Sequence, residues 1–268
     1  MNYSLGNMLG GAGVLNRFDP DANAYIAAVE AADGQALEPA IRNAYDVFVR
    51  GCKSDGIWNA IKASCILAGA RTLSGALVPL KGSAPTNNNF VSGDYVRATG
   101  LKGGGTGSGK VIDSNRANNA DGQDNNHNVV WVHTAEGSGS AGFYLDSGGA
   151  IAGDNTIARS SNSSNLVSRN RGPLVAITHA GLGASVGLIG ASRSTSASYD
   201  FRASNGTSTI SHVSDTPTSG NVFIFGRSTI IGVTDARISY YSIGESLNLT
   251  ALDARLATLT SSITAALP

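Results

Sequence analysis

Ala236-Arg-Ile-Ser-Tyr-Tyr-Ser-Ile-Gly-Glu-Ser-Leu247, followed after one residue by Leu249-Thr-Ala-Leu-Asp-Ala-Arg-Leu256, decides how this chain is read. The first part is strand-like, with Ile238, Tyr240, Tyr241 and Ile243 set among serines. In the second part Leu249, Leu252, Leu256, Leu259 and Ile263 step by three and four, which predicts an amphipathic helix over 245–268 with a narrow apolar seam. Thr250 and Asp253 have the spacing of a capping box at its start. The five seam residues can dock on the strands before them or meet copies of themselves, so they are also the candidate contact of a homo-oligomer.

Working back from that stretch, short apolar segments alternate with Gly/Ser/Thr/Asn turns. Strands are predicted at 95–98, 110–113, 128–134, 142–145, 156–160, 174–179, 185–189, 199–203, 208–213, 221–226 and 237–242. Val130, Val132 and Thr134 share one strand face, while Val129, Trp131 and His133 share the other. Asn205-Gly206 is the strongest hairpin signal. About a dozen strands at this spacing predict a mainly β fold, a two-sheet antiparallel jelly-roll sandwich over 64–244. Upstream, Leu37, Ile41, Tyr45, Phe48 and Cys52 recur at helical steps, so 21–63 reads as a small helical segment packed on the sandwich. It breaks at Asp33-Gly34, ends at Gly51 and the Lys53–Gly56 turn, and resumes for one turn at Ile57, Trp58 and Ile61. A strand buried on both faces is expected at 63–69. Residues 1–20 form a glycine-punctuated arm.

Charged residues make up 14% of the 268, and the formal net charge is zero, which gives no basic surface for nucleic acid. No apolar stretch is long enough for a membrane helix and the amino-terminal residues lack a secretory pattern, so no membrane insertion is expected. Cys52 and Cys65 fit no zinc spacing and read as small buried apolar residues rather than a bridge. Gly104–Lys110 imitates a phosphate loop, but Val111 stands where Ser or Thr would hold magnesium, and no helix pattern follows. The four histidines are scattered and read as hydrogen-bonded strand residues. No strand carries two glutamates on one face; aspartates that end or begin strands, such as Asp113, Asp146 and Asp200, could still serve a glycosidase, but the chain reads as non-enzymatic.

The polar loop 115–126 is the best ligand candidate. Asn115, Asn118, Asp121, Asp124 and Asn126 offer carboxylate and amide oxygens suited to Ca2+ or to sugar hydroxyls, although not in EF-hand order. Trp131, Tyr144 and Tyr199 could form a sugar-stacking face. No other cofactor is expected.

Four segments carry a family resemblance: Tyr25-Ile-Ala-Ala-Val-Glu-Ala-Ala-Asp-Gly-Gln-Ala-Leu-Glu38, Gly56-Ile-Trp-Asn-Ala-Ile-Lys-Ala63, Gly100-Leu-Lys-Gly103 with the strand at 110–113, and Tyr241-Ser-Ile-Gly-Glu-Ser-Leu247. Over roughly residues 21–256 the chain resembles phage virion structural and tail-associated proteins with a concanavalin-like jelly roll of the lectin and glucanase type. The resemblance implies a virion protein assembled in the host cytoplasm, as a head decoration, a fibre or a tail-associated subunit. In that setting the arm would attach to other capsid or tail proteins. A receptor-binding adhesin for host polysaccharide and a polysaccharide depolymerase are the competing roles. The acidic strand motif of the fold's hydrolases is not found.

Overall fold

The computed structural model describes residues 18–137, 142–149, 151–160, 165–227 and 233–267; the arm, apart from Phe18–Pro20, lies outside them. The first elements among the described residues are two helices, α1 (Pro20–Asp33) and α2 (Pro39–Ser54). Then come β1 (Ile61–Ile66), the short α3 (Leu73–Ala76), β2 (Pro79–Lys81), β3 (Thr86–Asn88), β4 (Tyr95–Val96), β5 (Gly100–Lys102), β6 (Val111–Ala117), β7 (Asn126–Thr134) and β8 (Gly142–Asp146). The chain continues with β9 (Asn155–Arg159), β10 (Leu166–Asn170), β11 (Ile177–His179), β12 (Gly187–Arg193), β13 (Ser198–Ala203), β14 (Gly206–Ser211), β15 (Asn221–Ile224), β16 (Arg237–Gly244) and α4 (Leu249–Ala266).

The strands form two antiparallel sheets, as a sandwich requires. The first runs β14-β13-β12-β7-β16-β1-β2, with β5 on β16 and β4 on β5; the second runs β11-β10-β9-β8-β15-β6-β3. One core lies between the sheets and includes Val130, Val132, Ile189, Phe201, Tyr241, Leu145, Ile157 and Ile224. A second lies between the first sheet's outer face and the helices, and holds Val129, Leu188 and Tyr240 with Ile41, Phe48 and the seam leucines. The period-two alternation read on β7 is therefore apolar on both sides, because both faces of that sheet are covered.

Local chemistry departs from the sequence reading at several points. α2 does not stop at Gly51 but continues to Ser54. Gly51 is instead the crossing point of α4: a Cβ there would stand 2.6 Å from Arg255 Cδ, and the Arg255 guanidinium reaches both Asp55 carboxylate oxygens at 2.7 Å. Residues 58–60 form a turn without a helix, and Ile61 already belongs to β1. The β13–β14 hairpin turns on Ser204 (φ 49°) and Asn205 (φ 62°), one residue earlier than the Asn-Gly signal placed it. Two consecutive positive φ values are what a two-residue primed turn needs. Leu174 and Val175 are exposed loop residues, since β11 begins only at Ile177.

The α4 start also differs. Its cap is Asn248, whose side chain accepts from the backbone N–H of Thr250 and Ala251. Asp253 instead receives Arg202 Nη2 at 2.5 Å and Nε at 2.8 Å, tying the helix to β13. The seam is not an oligomer contact: Leu249, Leu252, Leu256, Leu259 and Ile263 are all 3% exposed or less within their own chain, where α4 packs on α2, β12 and β13. Leu256→Ala opens a cavity in this layer and is expected to cost about 3 kcal/mol, read as a lower urea midpoint at unchanged m-value.

Candidate functional site

The loop expected to take calcium is closed around a cation of the protein's own. Asn115 lies on the β6 edge, its amide donating to Ala84 O at 2.8 Å and Thr86 Oγ1 at 3.0 Å. Asn118 is buried; its amide donates to Gly153 O at 2.8 Å and its Oδ1 accepts from Asn155 Nδ2 at 2.5 Å. Asp121 pairs with Arg116 at 2.5 Å, and Asn126 Oδ1 accepts from Asn170 Nδ2 at 2.9 Å. Arg171, 1% exposed, donates to the backbone carbonyls of Asn118, Asp121 and Gly122. Converging carbonyls of this kind suit a hard cation, but a guanidinium already fills the place. Asp124 Oδ1 is enclosed with no hydrogen-bond partner, and among the described residues no three His, Cys, Asp or Glu side chains are grouped to hold a metal. The donor set does not fit Ca2+.

Two of the three aromatic candidates are core residues. Tyr144 is fully buried between the sheets, its hydroxyl accepting from Glu136 N at 3.2 Å. Tyr199 is 2% exposed and its hydroxyl meets Ser168 Oγ at 2.8 Å. Trp131 is different. It points from β7 toward the helical layer, near the end of α4, and stays partly exposed. Together with His133, Ala257, Thr260, Ser261, Thr264 and Ala265 it lines an open groove of about 470 Å³. The groove exists because the α4 residues flanking the seam are small, so the helix does not cover the indole. Gly187 (φ +85°) keeps the other side low: a Cβ there would stand 3.9 Å from the ring. Sequence reading took His133 for an ordinary strand residue and followed only the seam face of α4. The signal it passed over is that residues 256–267 contain no charged side chain although half the helix surface faces water.

Among the described residues two groupings come nearest to hydrolytic machinery, and in each one member is fully buried. Asp113 and Asp146 do share the outer face of the second sheet, on either side of Phe223. Yet Asp146 is 0% exposed and occupied by Gly148 N, Thr156 Oγ1 and Arg227. Burial pushes its carboxyl up to about 6, against the opposing pull of the Arg227 cation. Ser168 Oγ and His179 Nε2 approach to 2.7 Å, but both lie in the inter-sheet core at 0% and 9% exposure, and the imidazole is stacked on Phe201. The glycine loop at 104–109 leads into β6, not a helix, and Lys110 is held by Asp94 at 2.5 Å. Cys52 and Cys65 are free and buried, with burial pushing both thiols up to about 12.

No family model matches this sequence, and no curated protein matches it. Solved structures do share the fold. The botulinum neurotoxin serotype D binding domain aligns with a TM-score of 0.53 at 8% identity, covering 76% of this chain and 51% of that one. The receptor binding domain of the botulinum neurotoxin C/D mosaic serotype aligns at 0.51 and 9%, covering 73% and 50%. A Ruminococcus gnavus sialidase CBM40 bound to sialyllactose aligns at 0.42 and 12%, covering 58% and 96%. This chain spans about half the length of the toxin binding domains, and at these identities the likeness is one of fold.

Proposed function

We propose that this chain is a non-enzymatic binding module that holds carbohydrate in the Trp131 groove. One observation carries the reading: a partly exposed indole forms the floor of an open groove whose helical wall presents Thr260, Ser261 and Thr264. A pyranose ring has C–H faces that pack on an aromatic ring and hydroxyls at its rim, so an indole beside side-chain hydroxyls matches both. The fold shared with domains named for receptor binding supports a role in recognition. The sequence resemblance supports a place on a phage particle, as a head decoration, fibre or tail-associated subunit attached through the arm. In that setting the module would hold host surface polysaccharide. The enclosure of Asp146 and Ser168 supports the non-enzymatic reading over a depolymerase.

Binding of host envelope polysaccharide, followed by isothermal titration, tests this. Trp131→Ala is expected to weaken binding at least about 10-fold, or about 1.4 kcal/mol, while the protein stays folded by circular dichroism. No reducing sugar is released. Wild-type affinity in the variant would refute the site. Sugar release that disappears in Asp146→Asn would instead establish a depolymerase.

A further inference from the structure

The groove carries information about which glycans it accepts. None of its seven lining residues is Asp, Glu, Lys or Arg. The cations and carboxylates closest in sequence on α4 are committed elsewhere: Arg255 to Asp55 and Asp253 to Arg202. From Leu256 to Leu267 the helix offers only Ala, Leu, Ile, Thr and Ser. Exposed positions in that span include Ala257, Thr258, Ser261, Thr264 and Ala265. A water-facing helix surface ordinarily carries charge, so an uncharged one beside an uncovered indole is the unusual feature.

We infer that the groove is selective for uncharged polysaccharide and discriminates against uronate- and sialate-bearing chains; the inference rests on the carbohydrate reading above. A sugar carboxylate seated on Trp131 would give up part of its water and find no Lys or Arg among the lining side chains to pair its charge, so neutral hydroxyl donors alone would have to replace that hydration. A neutral hexose gives up only hydroxyl hydration, and Ser261 and Thr264 hydroxyls stand ready to replace it. His133 also lines the groove, and its Nε2 is enclosed with no hydrogen-bond partner. The volume, about 470 Å³, falls within the ordinary range of about 300–1,000 Å³ for small-molecule clefts. Because the groove is open, it suits an internal stretch of a chain rather than a terminal sugar.

The full-length protein is titrated with oligosaccharides of three kinds: neutral gluco- and manno-oligosaccharides, oligo-uronates, and sialyllactose. Indole fluorescence is recorded alongside heat. Trp58 is 5% exposed and its Nε1 is bonded to Asp21, which leaves Trp131 as the responsive reporter. At least one neutral series is expected to bind about 10-fold or more tighter than either acidic series. Ala257→Phe, which fills the groove from an exposed position without touching the core, is expected to abolish that binding at unchanged thermal midpoint. Acidic oligosaccharides binding as well as neutral ones, with loss in Ala257→Phe, would overturn the selectivity while leaving the carbohydrate site in place. Binding of any series that survives both Ala257→Phe and Trp131→Ala, or no binding by any series, would overturn the site itself.

Discussion

In the His127→Gln variant the fall in stability between pH 7 and pH 4 should be about 3 kcal/mol smaller than in the wild type. His127 is fully buried in β7, with Nδ1 at 2.6 Å from Glu245 O and Nε2 at 3.0 Å from Ser242 Oγ. Burial pushes its imidazole down to about 4, only partly countered by the Glu245 carbonyl. The unfolded chain therefore binds a proton over a range where the folded chain does not. Its contribution is complete above about 6.5, is lost as pH falls toward about 4, and is constant below that. At about 1.4 kcal/mol per pH unit the shift gives about 3 kcal/mol. His179, also pushed down to about 4 by burial, acts in the same direction. Asp146 acts in the opposite direction. Its raised carboxyl binds a proton in the fold first, so its contribution is present below about 3.8 and is lost as pH rises through about 6. Urea denaturation of both proteins at several pH values separates these terms. Parallel stability curves for wild type and variant would show that His127 does not titrate as its burial requires.

Arg171→Met should lower stability by about 3–5 kcal/mol, the scale seen when one member of a buried ionic network is removed. The guanidinium donates to three backbone carbonyls and to Asn118 Oδ1. Methionine fills the space but donates nothing, so those buried acceptors lose their partners. With about 2–4 °C per kcal/mol for a chain of this size, the thermal midpoint should fall by roughly 10 °C. Calcium at millimolar concentration should leave the wild-type midpoint unchanged, since a ligand stabilises only what it binds in the folded state. A calcium-dependent rise that disappears on substituting Asp121 or Asp124 would overturn the account of this loop.

These two sites show which features of the molecule are local in its sequence and which are not. The sandwich was legible because short β-branched and aromatic runs such as β7 and β16 are separated by turn residues, and because the α2 and α4 stripes have unambiguous helical steps. Both are local signals. The loop at 115–126 was misread for a non-local reason: its oxygens do converge on a positive charge, but that charge comes from Arg171, 45 or more residues downstream of the loop. β10 was missed because Ser168, Arg169 and Asn170 look like loop residues; they are tolerated in a strand because His179, Thr156 and Asn126 receive or supply their hydrogen bonds. Trp131 was recognised as an aromatic platform, but which aromatics are covered depends on how short the α4 side chains are at 257–265, 126 or more residues downstream. Tyr144 and Tyr199 looked equivalent to it along the chain and differ only in the face they occupy.

The position of β16 bears on how the molecule is made. This strand sits between β7 and β1, in the middle of the first sheet, yet among the described residues it follows every other strand in sequence. Until residues 237–244 leave the ribosome, β1 and β7 have no shared neighbour and the sheet exists as two unconnected halves. Assembly of this sheet therefore waits for residues 237–244, and until then the emerging chain must keep two apolar strand edges from pairing with the wrong partner. Contacts this distant in sequence close slowly, so the nascent chain that has not yet made β16 is expected to be the most aggregation-prone state of this domain.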